Sequence, residues 1–213
     1  MRNVFRGMIS TERLKTLTDR VRIISNPIEF FKKIEKESVL FMGIDVRGMS
    51  SSSFIVVNPD KDITIQYSGK TSIPDLYDDI IYLIELIKPE SIYVNINRDG
   101  GFSLPLIQQL KEYSNDHGNV YIYYENKNKM IEKKIRGCQN YEKKQVEIRE
   151  YGTYFYKNKE YLAKLLKDII ENGNQSLSEE LLNDFYRISY DADPYPSSLL
   201  TAYLLALYMI EKK

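Results

Sequence analysis

Apolar and polar positions become regular from Val39 onward. "VLFMGID" (39–45) is a short apolar run ending in an acid, and "SSFIVVN" (52–58) and "DITIQYS" (62–68) follow it. The turn-rich "PDKD" joins the last two, so the three runs predict an antiparallel meander. In "TSIPDLYDDIIYLIELIKP", Ile73, Leu76, Tyr77, Ile80, Ile84 and Ile87 recur at helical spacing, with Ser72 as cap and Pro89 as stop. Strand "SIYVNIN" (91–97), helix "SLPLIQQLKEY" (103–113) and strand "NVYIYYE" (119–125) come next. This alternation calls for parallel pairing, with helices packed on the sheet. Period-two alternation sets Tyr93, Asn95 and Asn97 on one sheet face and Val94 and Ile96 on the other.

Beyond these, "VEIREYGTYFY" (146–156) reads as a hairpin or strand pair. "NKEYLAKLLKDIIENG" (158–173) reads as a helix with Leu162, Leu165, Leu166 and Ile169 on one stripe and Gly173 as C-cap. A shorter helix, "LSEELLNDFYRI", follows, and the last one starts near "DPYPSSLL", where Asp193 can cap and Pro194 fits the first turn. Residues 1–37 are polar and locally helical, with Ser10 and Asn26 as caps and Pro27 at a first helical position. They are expected to form an appendage or linker ahead of a domain spanning 38–213. Three antiparallel strands, then helix–strand–helix–strand, then closing helices make a mixed α/β sheet flanked by helices. That is the element order of the ribonuclease H-like fold.

Composition narrows the chemistry. With 43% hydrophobic and 28% charged residues, the 213-residue chain fits an ordinary soluble globular class. One cysteine, Cys138, excludes a disulfide framework, and one histidine, His117, excludes a zinc site of the usual kind. No apolar signal segment opens the chain, and "LLTAYLLALYMI" (199–210) is too short to span a bilayer, so a buried core helix and a cytoplasmic setting are expected. Net charge is zero, but its distribution is uneven. Lys127, Lys129, Lys133, Lys134, Arg136, Lys143 and Lys144 face only Glu132 and Glu142 within 127–144, whereas 168–193 is acidic. Both runs can be plain solvated surface. The basic one can also track a nucleic-acid backbone.

Four segments resemble one family. "FMGIDVRGMSSSSFIVV" (41–57) resembles a strand ending Gly-Ile-Asp, a short loop and a second strand. "IYVNINRDGGFSLPLIQQL" (92–110) resembles a strand whose acid is followed by Asn and then glycine before a helix. Tyr151–Phe185 resembles a Lys-rich segment followed by two helices, and "YPSSLLTAYLLALYMI" (195–210) a closing helix that usually opens with paired aspartates. The family is the nuclease domain of the viral terminase large subunit. The resemblance implies duplex-DNA cutting during DNA packaging in the cytoplasm of a host cell, with Mg²⁺ or Mn²⁺ held by converging carboxylates. It also implies partners such as a separate ATPase or a portal, since no Walker A loop occurs here.

Carried across by position, the family's acids fall on Asp45, Asn95, Ser197 and Ser198. A further helix acid falls on Thr201, and a loop acid within "SSSS" (50–53). Only Asp45 is acidic. Amide and hydroxyl oxygens hold Mg²⁺ far less well than carboxylates, so lost or impaired cutting is expected, and no metal need be used at all. Two alternatives stand beside it. One is a displaced metal site built from Asp45, Asp99 and Asp193. The other is a non-catalytic ribonuclease H-fold module for DNA or protein binding. Asp99 in "RDGG" also suits a plain turn, and Asp193 before a proline suits an ordinary helix cap.

Overall fold

The structure, a computed structural model, describes residues 12, 21–22, 28–30, 38–48, 51–99, 101–134, 141–172, 177–190 and 196–213. Its centre is a six-stranded sheet in the order β2–β5–β4–β3–β6–β7. The strands are β2 (Ile28–Phe30), β3 (Val39–Val46), β4 (Ser52–Val57), β5 (Ile63–Gly69), β6 (Ser91–Ile96) and β7 (Val120–Ile122). β3, β4 and β5 form the antiparallel meander, and β3, β6 and β7 pair in parallel. The crossovers are helices α1 (Ile73–Ile87) and α2 (Leu104–Asp116). Ser72 caps α1 through its hydroxyl, as its position before the apolar periodicity predicts.

The near-continuous apolar content of β3 follows from burial on both faces. Leu40, Met42, Ile44 and Val46 pack under α1 and α2 with Ile80, Leu83 and Leu106. On the other face Phe41, Ile55, Val57 and Ile63 meet three helices: α3 (Phe155–Asn172), α4 (Glu179–Tyr190) and α5 (Ser198–Lys212). α5 is the central one, buried from Ser198 to Met209. It lies so close to β3 that a Cβ at Gly43 would stand 1.9 Å from the Ala202 carbonyl oxygen. Gly43 is therefore what lets a helix rest directly on the strand that carries Asp45. Among the described residues no helix is long and apolar enough to cross a membrane.

Three local expectations are corrected. The Asn26-Pro27 helix signal does not govern Ile28–Phe30, which pairs antiparallel with the open edge of β5, and β1 (Val21–Arg22) pairs with β10 (Leu177–Ser178). Backbone pairing to an available edge outweighs a local capping preference. The basic stretch supplies both arms of one hairpin, β8 (Tyr124–Lys134) and β9 (Tyr141–Tyr151), so "VEIREY" pairs backwards with Tyr124–Lys129 rather than forwards. Gly152, at φ +80°, then turns the chain so that Thr153 bridges Asn97 and α3 starts at Phe155. Finally, α5 starts at Ser198, capped by Ser197, because the Ser197 hydroxyl accepts from the Leu200 N–H. Ser10, Asn26, Pro27, Arg136, Cys138, Gly173, Asp193 and Pro194 lie outside the described residues.

Candidate functional site

Asp45 is the penultimate residue of β3, and its carboxylate is fully buried. The parallel register sets Gly43 beside Asn95, and the Asn97 N–H bonds the Ile44 carbonyl, so Asn97 is the β6-side neighbour of Asp45. Asn97 Nδ2 donates to Asp45 Oδ1 at 2.7 Å. On the opposite oxygen, Arg47 Nε donates to Asp45 Oδ2 at 2.7 Å. Burial pushes the Asp45 carboxyl above its ordinary range, while the Arg47 guanidinium and the Asn97 amide pull it back and Asp99 adds to the rise. A buried carboxylate of this kind needs both hydrogen bonds and a partner charge, and it has them.

Alternation along β6 does put Asn95 and Asn97 on one face, but at different depths. Asn95 is sealed under α5, where its Nδ2 donates to the Leu205 carbonyl at 3.4 Å and its Oδ1 accepts from the Thr153 hydroxyl at 2.9 Å. Asn97 works in both directions too. Its Oδ1 accepts from the Asp99 N–H at 3.1 Å and the Phe155 N–H at 3.3 Å while its Nδ2 serves Asp45. An ionised carboxylate only accepts, so neither position could swap amide for acid without losing a bond. Asp99 Oδ2 accepts from the Tyr156 N–H at 2.9 Å, an anion set at the start of α3. Burial raises the Asp99 carboxyl, and that N–H and Lys157 lower it.

The two serines on which the resemblance places the family's paired acids, Ser197 and Ser198, go two ways. Ser198 Oγ lies 2.9 Å from Ser53 Oγ and accepts from Ser51 Oγ at 3.1 Å, so the loop after β3 and the start of α5 do meet, through hydroxyls. Ser197 turns away and donates to Asp184 Oδ2 on α4. Asp184 is a buried carboxylate within the acidic run, and nothing in the sequence sets it apart from its acidic neighbours there. Arg47 was likewise missed. Its only sequence cue is its place two residues after Asp45.

Between these elements lies a cavity of about 250 Å³ lined by Asp45, Val46, Arg47, Asn97, Asp99, Phe102, Phe155, Tyr156 and Thr201. Asn95, Ser197 and Ser198 do not line it. Beside it, three cations crowd the Tyr154 ring: Arg98 at 4.9 Å, Lys127 at 5.3 Å and Lys157 at 4.0 Å. Lys127 is also paired with Glu150 at 2.5 Å. Lys129, Lys133, Lys134, Lys143 and Lys144 lie along the arms of the β8–β9 hairpin.

No protein-family model and no curated protein sequence matches the chain. Solved structures do. The large terminase nuclease from thermophilic phage G20c, with bound cobalt, superposes with a TM-score of 0.60 at 13% identity, covering 98% of this chain and 97% of that one. The magnesium-bound form of the same nuclease gives 0.56 over 98% and 97%, also at 13% identity. This is the fold of a terminase nuclease domain. The human cytomegalovirus terminase nuclease domain shares it, with a TM-score of 0.55 and 11% identity over 94% of both chains. The ribonuclease H-like arrangement expected from the order of elements is thus present, with β3, β6 and α5 converging as the terminase resemblance implies.

The solved G20c nucleases carry cobalt, magnesium or zinc. Among the described residues, those around Asp45 do not fit a two-metal centre. Both Asp45 oxygens are engaged by donors, one Asp99 oxygen is committed to α3, and the Asn97 amide points its N–H₂ at Asp45. Among the described residues no three His, Cys, Asp or Glu side chains are grouped to hold a metal. Asp193, the third member of the displaced set, lies outside those residues.

Proposed function

We propose that this chain is a terminase-type, nuclease-like domain that engages duplex DNA in viral DNA packaging and whose metal-dependent cutting is lost or impaired. The observation that carries the reading is the state of Asp45. The one acid kept at a family position is fully buried and already neutralised by Arg47 at 2.7 Å. A hard divalent cation would have to displace that guanidinium, and a pair of such ions would find one carboxylate at these positions where two-metal cutting needs several.

DNA engagement is supported by charge. The hairpin carries Lys129, Lys133, Lys134, Lys143 and Lys144, and Arg98 and Lys157 gather at its base beside the cavity. Lysines and arginines along such a ridge bind the phosphate backbone without reading sequence. An ATPase supplied by another chain and a portal-type subunit fit the same role as partners.

Supercoiled plasmid incubated with Mn²⁺ or Mg²⁺, alongside an Asp45→Ala control, tests the reading. We expect neither protein to nick it. Nicking by the parent alone would establish a working site around Asp45 and overturn the impaired-nuclease reading.

A further inference from the structure

Arg47 does more than balance one carboxylate. Its Nε donates to Asp45 Oδ2 at 2.7 Å, and its Nη2 donates to the Pro196 carbonyl at 2.8 Å and to Thr201 Oγ1 at 3.1 Å. The Thr201 hydroxyl donates its own proton to the Ser197 carbonyl at 2.8 Å, which leaves lone pairs for the arginine. A carboxylate, a carbonyl and a hydroxyl oxygen thus converge on one cation from the end of β3 and the first turn of α5. These are the donor types that hard divalent ions take. The planar guanidinium reaches all three because its N–H bonds point in fixed, divergent directions, which a lysine ammonium cannot imitate.

The geometry points to Arg47 as a resident cation: its guanidinium fills an oxygen site that accepts a divalent metal once the side chain is removed. The inference rests on the reading above that metal-dependent cutting is not the work of this site, and it says what replaced the metal. A tethered cation joins β3 to α5 at all times and needs no ion from solution. Asn97 cannot do this, since it offers a hydrogen bond but no charge. Asp99 does not supply the link either, because the oxygen it shares with Tyr156 ties it to α3.

The test is the metal response of stability, which separates it from the plasmid assay. Thermal unfolding of the parent and of Arg47→Ala is followed in chelator and in a few millimolar Mn²⁺. The parent Tm is expected to be the same in both. The Arg47→Ala Tm is expected to fall by about 4 °C or more in chelator, and part of that loss is expected to return with Mn²⁺. A parent Tm that rises with Mn²⁺ as far as the variant's, or a variant Tm that Mn²⁺ leaves unmoved, overturns the proposal. Should Arg47→Ala fail to fold, Arg47→Met is compared with the pair Asp45→Asn/Arg47→Met. The pair is expected to be the more stable, because it leaves no unpaired buried charge. A pair no more stable than the single variant overturns the proposal equally.

Discussion

Asn97 Nδ2 stands 2.7 Å from Asp45 Oδ1, across the parallel seam between β3 and β6. The same amide accepts the Phe155 N–H at the start of α3, so one side chain links two strands and a helix. Asn97→Asp therefore exchanges a donor for a second carboxylate in a buried site. The loss should be about 3 kcal/mol at neutral pH, the scale of an uncompensated buried charge, read by urea denaturation. A variant as stable as the parent would show that Asp45 does not depend on this donor.

Gly43 is the contact between β3 and α5. A methyl group there would meet the Ala202 carbonyl at 1.9 Å and the Ala206 nitrogen at 2.5 Å, and both are backbone. Gly43→Ala should cost about 4 kcal/mol or more, since neither strand nor helix can give way cheaply. Soluble yield and Tm report it. A Tm within a few degrees of the parent would mean that α5 sits farther from the strand.

Asp184 carries a pH signature. Burial raises its carboxyl, while the Ser197 hydroxyl and Arg187 lower it. The folded chain therefore binds this proton more tightly than the unfolded chain, whose carboxyl titrates near ~3.9. The contribution is present in full below that pH and is lost as pH rises through the raised folded value. Asp184→Asn removes the titration but keeps an acceptor for Ser197. Its Tm relative to the parent should rise as pH increases from about 4. A difference that stays flat or falls would contradict the raised carboxyl.

Charge reversal at the hairpin tests DNA contact. Lys133→Glu/Lys134→Glu should weaken duplex binding and flatten its salt dependence by about two phosphate contacts. Lys133 pairs with Glu142 in the hairpin register and Lys134 with Tyr141, so the backbone ladder itself should survive. Unchanged affinity and salt slope would remove the hairpin from the DNA surface.

The sheet was legible where burial writes itself into composition. The run 39–45 and the spacing of Leu76, Ile80 and Ile84 mark β3 and α1 because both are packed into the core. The hairpin was not legible, since "NKNKMIEKK" has no apolar alternation and is paired mainly by backbone bonds. Asp45 could be read from its place at a strand end. The depth of Asn95 could not, because it depends on the β3–β6 register and on an α5 that Gly43 admits. Arg47 and Asp184 looked like a loop residue and one acid in a charged run. What distinguishes them is Pro196, Ser197 and Thr201, some 150 residues from Arg47 and about a dozen from Asp184, and only folding brings those residues near.

One reaction separates DNA binding from DNA cutting. Supercoiled plasmid is incubated with the protein and Mn²⁺, then divided. One half is run with protein bound and the other after deproteinisation, with Asp45→Ala in parallel. A retarded plasmid is expected in the first half and an intact supercoil in the second, for parent and variant alike. Plasmid nicked or linearised by the parent and spared by Asp45→Ala would contradict the impaired-nuclease reading.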